Sequence, residues 1–121
     1  MKMRCFVIMP FAESFDPVFK VVNGVAATAV QDITFECHWL KNVFAAGRIT
    51  DDLVRALDEA TFCIADVSGN NPNVMWETGY AMALGKPTIL IAQDIACLPF
   101  DLKTHRVLLT RQINIYKLAV I

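Results

Sequence analysis

The chain has 121 residues, of which 55% are hydrophobic and 19% are charged, and its formal net charge is −1. This composition excludes an intrinsically disordered chain and predicts a single domain, residues 1–121, with an extensive core. A nucleic-acid partner is not expected, because phosphate binding needs clustered Lys and Arg and the sequence has no basic run. No stretch approaches the ~20 apolar residues that span a bilayer, so no membrane partner is expected either.

The sequence contains four cysteines that are scattered, with no C-x-x-C pair: Cys5, Cys37, Cys63 and Cys97. Three of them fall inside predicted strands, which indicates reduced, buried thiols and a cytoplasmic location. The apolar run near the first residue is too short for a secretion signal and is interrupted by Pro10. His38 and His105 have no ligand-like spacing, so no metal site is expected.

The first half of the chain predicts two strands joined by a helix. Arg4 to Met9 is a continuous apolar run, which is typical of a strand buried on both faces. After a loop, Asp16 opens a helix that is expected to run to about Gln31, with an apolar stripe at helical spacing. Ile33 to Leu40 is predicted as a second strand, and its alternating polar residues indicate a half-exposed or edge position.

The second half continues the alternation of helices and strands. Arg48 to Ala60 is predicted as a helix, Thr61 to Val67 as a buried strand and Thr88 to Ala92 as another. Arg106 to Thr110 is predicted as a fifth strand, and the tail from Gln112 is ambiguous. This order predicts an α/β fold, a three-layer doubly wound sandwich with a parallel five-stranded sheet of the flavodoxin-like or Rossmann-like kind. Ligands of such sheets bind at the carboxyl ends of the strands, near the topological switch point. The loops expected at that end are residues 10–14, residues 68–73 and the chain from Gln93 onward.

A helix with a marked start and stop lies between the third and fourth predicted strands. Asn71 suits the N-cap, Pro72 suits the first helical position, and Gly85 suits a left-handed stop. The only formal charge between these marks is Glu77, and no Lys or Arg shares its face. A helix without a polar face is expected to be buried on most sides, by its own sheet or by another subunit. The Glu77 carboxyl should then be desolvated with a raised pKa, which makes it a candidate functional group.

Polar residues surround the start of this helix: Ser68, Gly69, Asn70, Asn71 and Asn73. They form either a capped polar turn or a ligand site, in which free N–H groups of Asn73 and Val74 and the Asn side chains hold an anionic or hydroxylated ligand. Asp66, at the end of a predicted strand, either caps local N–H groups or has a functional role. Asp51 and Asp52, in a first helical turn, are typical complements of the helix dipole. No dinucleotide fingerprint, P-loop or nucleophile elbow is present.

Several motifs carry a family resemblance: Phe6-Val-Ile-Met-Pro-Phe11, Ile64-Ala-Asp-Val-Ser68, Asn71-Pro-Asn-Val74, and Glu77-Thr-Gly-Tyr-Ala81 with Leu84-Gly-Lys-Pro87. Over roughly residues 4–110 the chain resembles the nucleoside 2-deoxyribosyltransferase-like superfamily, which includes deoxynucleotide N-glycosidases and is distantly similar to TIR domains. The resemblance implies that Glu77 is the nucleophile and that Asn71 contacts the sugar or its phosphate. It also implies an aspartate that assists proton transfer, and only Asp51 or Asp52 lies near the matching place.

The expected activity is therefore an N-glycosidase or deoxyribosyltransferase acting on a nucleoside or nucleotide without a cofactor. Glu77 attacks the anomeric carbon, and Asp52 or Asp66 protonates the leaving base. Pro10, Phe11 and the Ser68–Asn73 loop are expected to bind the substrate.

The chain also departs from the family pattern. Met9-Pro10-Phe11 stands where the family's enzymes usually have a Tyr or a glycine-rich turn, and Thr78 replaces a common leucine. Two alternatives therefore stay open: a binding or sensing module that does not cleave the nucleotide, and a TIR-like NAD-cleaving domain. A homo-oligomer is expected in each case, because the apolar face with Met75, Trp76 and Met82 needs cover.

Overall fold

The computed structural model describes residues 2–10, 13–28, 30–39, 51–93 and 107–109. Its strands are β1 (Lys2–Ile8), β2 (Thr34–Trp39), β3 (Phe62–Asp66), β4 (Thr88–Ala92) and the short β5 (Val107–Leu109). Its helices are α1 (Asp16–Thr28), α2 (Asp51–Glu59) and α3 (Pro72–Ala83). Short 3-10 turns precede α1 and α3, at Glu13–Phe15 and Ser68–Asn70.

The strands pair in parallel. Four of them lie in the order β2-β1-β3-β4, so that β1 and β3 are neighbours although α1, β2 and α2 separate them along the chain. The segment β5 lies parallel to the outer edge of β4, with Val107 aligned to Leu90, and the residues that flank β5 lie outside the described ranges. The α/β class and the parallel sheet are therefore confirmed, whereas the full five-stranded sandwich stays a prediction.

Helices cover the sheet from both faces. On one face, the strand residues pack against residues of α2 and α3, among them Leu53, Leu57, Val74 and Ala81. On the other face, they pack against residues of α1, among them Val18, Val22 and Ala26. All of β3 is buried as a result, which explains its unbroken run of mostly apolar residues. The strand β2 lies at the sheet edge and is only partly buried, so its predicted edge position is confirmed.

Helix α1 is shorter than predicted. It ends at Thr28, whereas the sequence pattern extends it to about Gln31. The chain turns here, because Val30 and Ile33 form an isolated antiparallel bridge and Asp32 has a φ of 67°. A left-handed residue cannot continue a right-handed helix, so the turn overrides the apolar periodicity.

The remaining boundaries vary in how far they can be compared with the predictions. Strand β4 has the predicted ends, Thr88 and Ala92. The predicted start of the second helix at Arg48 lies outside the described residues, as does the tail from Gln112. None of the helices in the described part of the chain has the length and apolar character that crossing a bilayer requires.

Candidate functional site

A cleft of about 440 Å³ opens at the carboxyl ends of the strands. Its lining residues come from the segments that follow β1, β3 and β4: Pro10, Phe15, Ser68, Gly69, Asn71, Pro72 and Gln93. The chain leaves β1 towards β2 on one side and leaves β3 towards β4 on the other. The cleft therefore lies at the topological switch point, where parallel sheets of this order bind their ligands.

The loop after β3 is a tight turn with two left-handed residues. Gly69 has a φ of 75° and Asn70 has a φ of 53°. Glycine adopts this conformation without a steric penalty, and asparagine tolerates it better than most residues do. The backbone N–H of Asn70 donates to the carbonyl of Val67 across 3.4 Å, which closes the turn. This turn places Ser68, Gly69 and Asn71 in the wall of the cleft.

The start of α3 is capped by Asn71. Its Oδ1 accepts hydrogen bonds from the backbone N–H groups of Asn73 at 2.9 Å and Val74 at 3.2 Å, and Pro72 follows it in the first turn. The predicted helix start is confirmed. The interpretation that the Asn73 and Val74 N–H groups are free for an anionic ligand is wrong, because the Asn71 side chain occupies both. Asn71 also lines the cleft.

The end of α3 is a Schellman motif. Gly85 has a φ of 78°, its N–H donates to the carbonyl of Met82 at 3.0 Å, and the Lys86 N–H donates to Ala81 at 3.1 Å. This pair of bonds satisfies two carbonyls at the helix end. The predicted stop at Gly85 is therefore confirmed, and α3 is fixed at both ends by local chemistry.

Glu77 lies on the border of the buried stripe of α3. Its helical neighbours Val74, Thr78 and Ala81 are buried against the sheet, whereas Glu77 is half-buried. Burial raises the pKa of its carboxyl to about 7, and no hydrogen bond or ion pair joins it to another described residue. The predicted desolvation is confirmed, and the carboxyl exchanges a proton near neutral pH.

The outward side of α3 is not covered. Trp76 is 57% exposed and Leu84 is 47% exposed. The sheet of this chain therefore covers one side of α3, and cover of the opposite side by another subunit stays a prediction. The reason is geometric, because one sheet covers only one side of a helix and the opposite side faces solvent.

Asp66 is the most deeply buried carboxylate in the described part of the chain, with 0% exposure at the end of β3. Its Oδ1 accepts a hydrogen bond from the Ser68 N–H at 2.9 Å, and its Oδ2 has no partner within the described ranges. Burial raises the pKa of this carboxyl, and the hydrogen bonds from Ser68 oppose part of that rise. Ser68 Oγ in turn accepts the Gln93 N–H at 2.8 Å, so the ends of β3 and β4 are tied together beside the cleft.

Asp52 lies elsewhere. It is exposed in the first turn of α2 and pairs with Arg55 at 3.7 Å. It lines a separate groove of about 220 Å³ between α2 and the β1/β2 edge, together with Arg4 and Glu59. Asp51 is also exposed in the same turn. The structure thus places Asp66 beside the cleft and Asp52 in another groove.

The predicted binding residues divide into three groups. Those that line the cleft are Pro10, Ser68, Gly69 and Asn71. Asn70 and Asn73 flank them in the turn and in the first turn of α3. The predicted catalytic residues Glu77 and Asp66 are not among the described residues that line the cleft. Phe11 lies outside the described residues.

Phe15, Pro72 and Gln93 line the cleft but were not among the individual residues predicted for the site, although the loops that contain Pro72 and Gln93 were expected at this end of the sheet. Gln93 directly follows β4, and its place beside Ser68 follows from the pairing of β4 with β3. The signal that would have found it is therefore the strand order.

Two further results bear on the site. Among the described residues, no group of three or more His, Cys, Asp and Glu side chains is arranged to hold a metal ion. Comparison of the sequence with models of known protein families gives no match, and comparison with curated proteins gives none either.

Proposed function

We propose that this chain is an N-glycosidase or deoxyribosyltransferase acting on a nucleoside or nucleotide, with Glu77 as the nucleophile at the anomeric carbon. The observation that carries the proposal is the half-buried Glu77 carboxyl, whose pKa is raised to about 7 by desolvation. A carboxyl in this environment is unusual for a purely structural residue, because burial without a partner destabilises its charged form. The motif resemblance of the sequence supplies the class of substrate.

The proposed reaction is a double displacement. An oxygen of the Glu77 carboxylate forms a bond to the anomeric carbon as the bond from that carbon to the base breaks. Water or a second base then attacks the same carbon and releases Glu77. The reaction requires ionised Glu77, so its rate is expected to rise with pH through about 7.

Asp66 is the better candidate for the acid that protonates the leaving base. Its pKa is raised by burial, so it retains a proton to a higher pH than an ordinary aspartate, and one of its oxygens has no partner. Asp52 is exposed and paired with Arg55 in another groove, which favours an electrostatic role in α2. We therefore assign the acid to Asp66.

The cleft at the switch point is the proposed place for the substrate. Pro10 and Phe15 supply an apolar wall, whereas Ser68, Asn71 and Gln93 supply polar groups. A nucleoside has the matching combination of an apolar ring and hydroxyl groups. No cofactor is needed, because the reaction transfers a glycosyl group between nucleophiles.

The proposal is tested by searching for released base. The wild-type chain is incubated with a panel of nucleosides, nucleotides and NAD, and free bases are separated by chromatography. Glu77→Gln keeps the shape of the side chain and removes the nucleophile, so it should lower the rate by on the order of 10³-fold or more. Asp66→Asn should lower it by roughly 10²–10⁴-fold.

Asp52→Asn is the matched control, because it removes an exposed aspartate that pairs with Arg55 and lines a separate groove. It should retain activity close to that of the wild type. If wild type and Glu77→Gln are equally inactive on every compound, the enzyme assignment is wrong. If NAD is the only compound of the panel that is cleaved, with release of nicotinamide, the TIR-like alternative is correct.

The second candidate function is a nucleotide-binding or sensing module that does not cleave its ligand. It is favoured by the position of Glu77, which does not line the described cleft. Ligand-dependent thermal stabilisation without release of base would identify this function. The variant Gly69→Ala should weaken that stabilisation, because Gly69 lines the cleft with a φ of 75°.

The remaining parts of the proposal concern the whole protein. We propose a five-stranded, doubly wound sandwich, a cytoplasmic location and a homo-oligomer. The oligomer is supported by the exposed Trp76 and Leu84, two large apolar side chains on one helix. Sedimentation at micromolar concentration tests it, and a strict monomer would contradict it.

A further inference from the structure

Cys5 and Cys37 face each other across two parallel strands. They are register partners in the pairing of β1 with β2. Both side chains pack in the core cluster on the α1 face of the sheet, so they project to the same side. Neighbouring strands lie about 4.8 Å apart, and a disulfide joins Cα atoms that are roughly 4.4–6.8 Å apart. The backbone therefore already holds the two residues at a distance that a disulfide can bridge.

The two thiols are also chemically unequal. A hydrogen bond between them and burial raise the pKa of Cys5 well above its ordinary value. The same hydrogen bond lowers the pKa of Cys37 and outweighs the effect of burial there. Cys37 is half-buried on the edge strand, whereas Cys5 is fully buried. Cys37 is thus the thiol that ionises first and the one that solvent reaches.

We propose that Cys5 and Cys37 form a peroxide-oxidisable dithiol, a modification site that closes into an intrachain disulfide between β1 and the edge strand β2. Cys37 is the residue that the peroxide reaches, and Cys5 is the residue that resolves the oxidised intermediate. This site is independent of the proposed glycosyl transfer.

The reaction has two steps that balance. The Cys37 sulfur attacks one oxygen of hydrogen peroxide, an S–O bond forms, the O–O bond breaks, and the departing oxygen leaves as water with the thiol proton. The Cys5 sulfur then attacks the sulfur of the resulting sulfenic acid, an S–S bond forms, the S–O bond breaks, and the hydroxyl leaves as a second water with the Cys5 proton. The two thiols lose two electrons and the peroxide gains them.

Cys63 provides an internal comparison. It lies on β3 and packs in the cluster on the opposite face, with α2 and α3. Burial raises the pKa of its thiol to about 11, and the Lys86 charge opposes part of that rise. It is fully buried and has no cysteine register partner in the sheet. It should therefore stay reduced under conditions that oxidise the pair.

The test uses the folded full chain and hydrogen peroxide. After treatment and removal of the peroxide, the free thiols are alkylated under denaturing conditions and the intact mass is measured. We expect the mass of the protein to fall by about 2 Da and two fewer thiols to be alkylated. Dithiothreitol should reverse both changes. A peptide map should join the Cys5 peptide to the Cys37 peptide. The variant Cys37→Ser should lose the cross-link, whereas Cys63→Ser should retain it.

A second variant traps the intermediate. Cys5→Ala leaves Cys37 without its resolving thiol, so a sulfenic acid at Cys37 should accumulate and react with dimedone. Circular dichroism of each variant confirms that it folds, and the peptide map of the wild-type chain needs no variant. A cross-link that involves Cys63 or Cys97, or two thiols that survive peroxide unchanged in the wild-type chain, would overturn the proposal.

Discussion

The variant Glu77→Gln is expected to stabilise the folded chain at pH 8 and to have little effect at pH 5. The pKa of Glu77 is about 7 in the folded chain against a usual value of 4.5. Between these values the folded state binds more protons than the unfolded state, so the free energy of unfolding falls as pH rises. The destabilisation is absent below about pH 4.5 and complete above about pH 7. Glutamine has no charge to desolvate, so it removes this effect.

The size of the effect follows from the same two pKa values. A difference between 4.5 and about 7 corresponds to at most about 3 kcal/mol. Glu77 is only half-buried, and solvent screening reduces this to about 1–2 kcal/mol. Urea unfolding followed by circular dichroism measures the free energy of unfolding of both chains at each pH.

The control is Glu13→Gln, which removes an exposed carboxylate before α1. A surface substitution of this kind should change the free energy of unfolding by no more than about 0.5 kcal/mol at either pH. If Glu77→Gln gains no more at pH 8 than at pH 5, the carboxyl is either solvated or paired with a cation. The desolvation argument, and with it the proposed nucleophile, would then be refuted.

Four local predictions concern α3 and its ends and are measured by the same unfolding experiment. Asn71→Ala should lower the free energy of unfolding by about 1 kcal/mol, because it removes the cap that binds two N–H groups; an unchanged value would mean that the cap is not needed. Thr78→Val should raise it by about 1 kcal/mol, because the buried Oγ1 has no hydrogen-bond partner among the described residues; a decrease would reveal a partner. Gly79→Ala should raise it by about 1 kcal/mol, since Gly79 is inside the helix with open space at its Cβ position. Gly85→Ala should lower it by about 1 kcal/mol, since Gly85 has a φ of 78°.

Burial raises the pKa of both proposed catalytic carboxyls, although their surroundings differ. Glu77 has no neighbouring donor among the described residues, and its carboxyl is desolvated only in part. Asp66 is fully buried, but hydrogen bonds from Ser68 stabilise its charged form. Both carboxyls therefore keep a proton to a higher pH than ordinary carboxylates, and both are available for proton transfer. In the proposed reaction Glu77 is the nucleophile and Asp66 is the acid, so Glu77→Gln and Asp66→Asn should each lower the rate.

The ends of α3 show what local sequence can determine. Asn71, Pro72 and Gly85 mark its start and stop because each acts on backbone groups within about four residues. The same kind of local signal identified β4 with its observed ends. The end of α1 was misjudged, because the turn at Asp32 depends on a bridge between two residues outside the helix.

The candidate site shows what local sequence leaves open. Asp52 and Asp66 are both aspartates near the end of an element, and the sequence offered both as the acid. Only the pairing of β3 between β1 and β4 brings Ser68, whose N–H binds Asp66, to the cleft and leaves Asp52 in a different groove. The same pairing brought Gln93 to the site.

The sequence by itself determined the α/β class and the caps of α3. It also identified Glu77 as a carboxyl whose pKa is raised by burial in an apolar helix. It could do so because propensity, capping and periodicity act between residues that are close along the chain. The tertiary structure alone decided the strand order, the residues that share the cleft, the exposed side of α3 and the facing of Cys5 and Cys37. These depend on contacts between segments far apart in the chain, which form only when the strands pair and the helices cover the sheet.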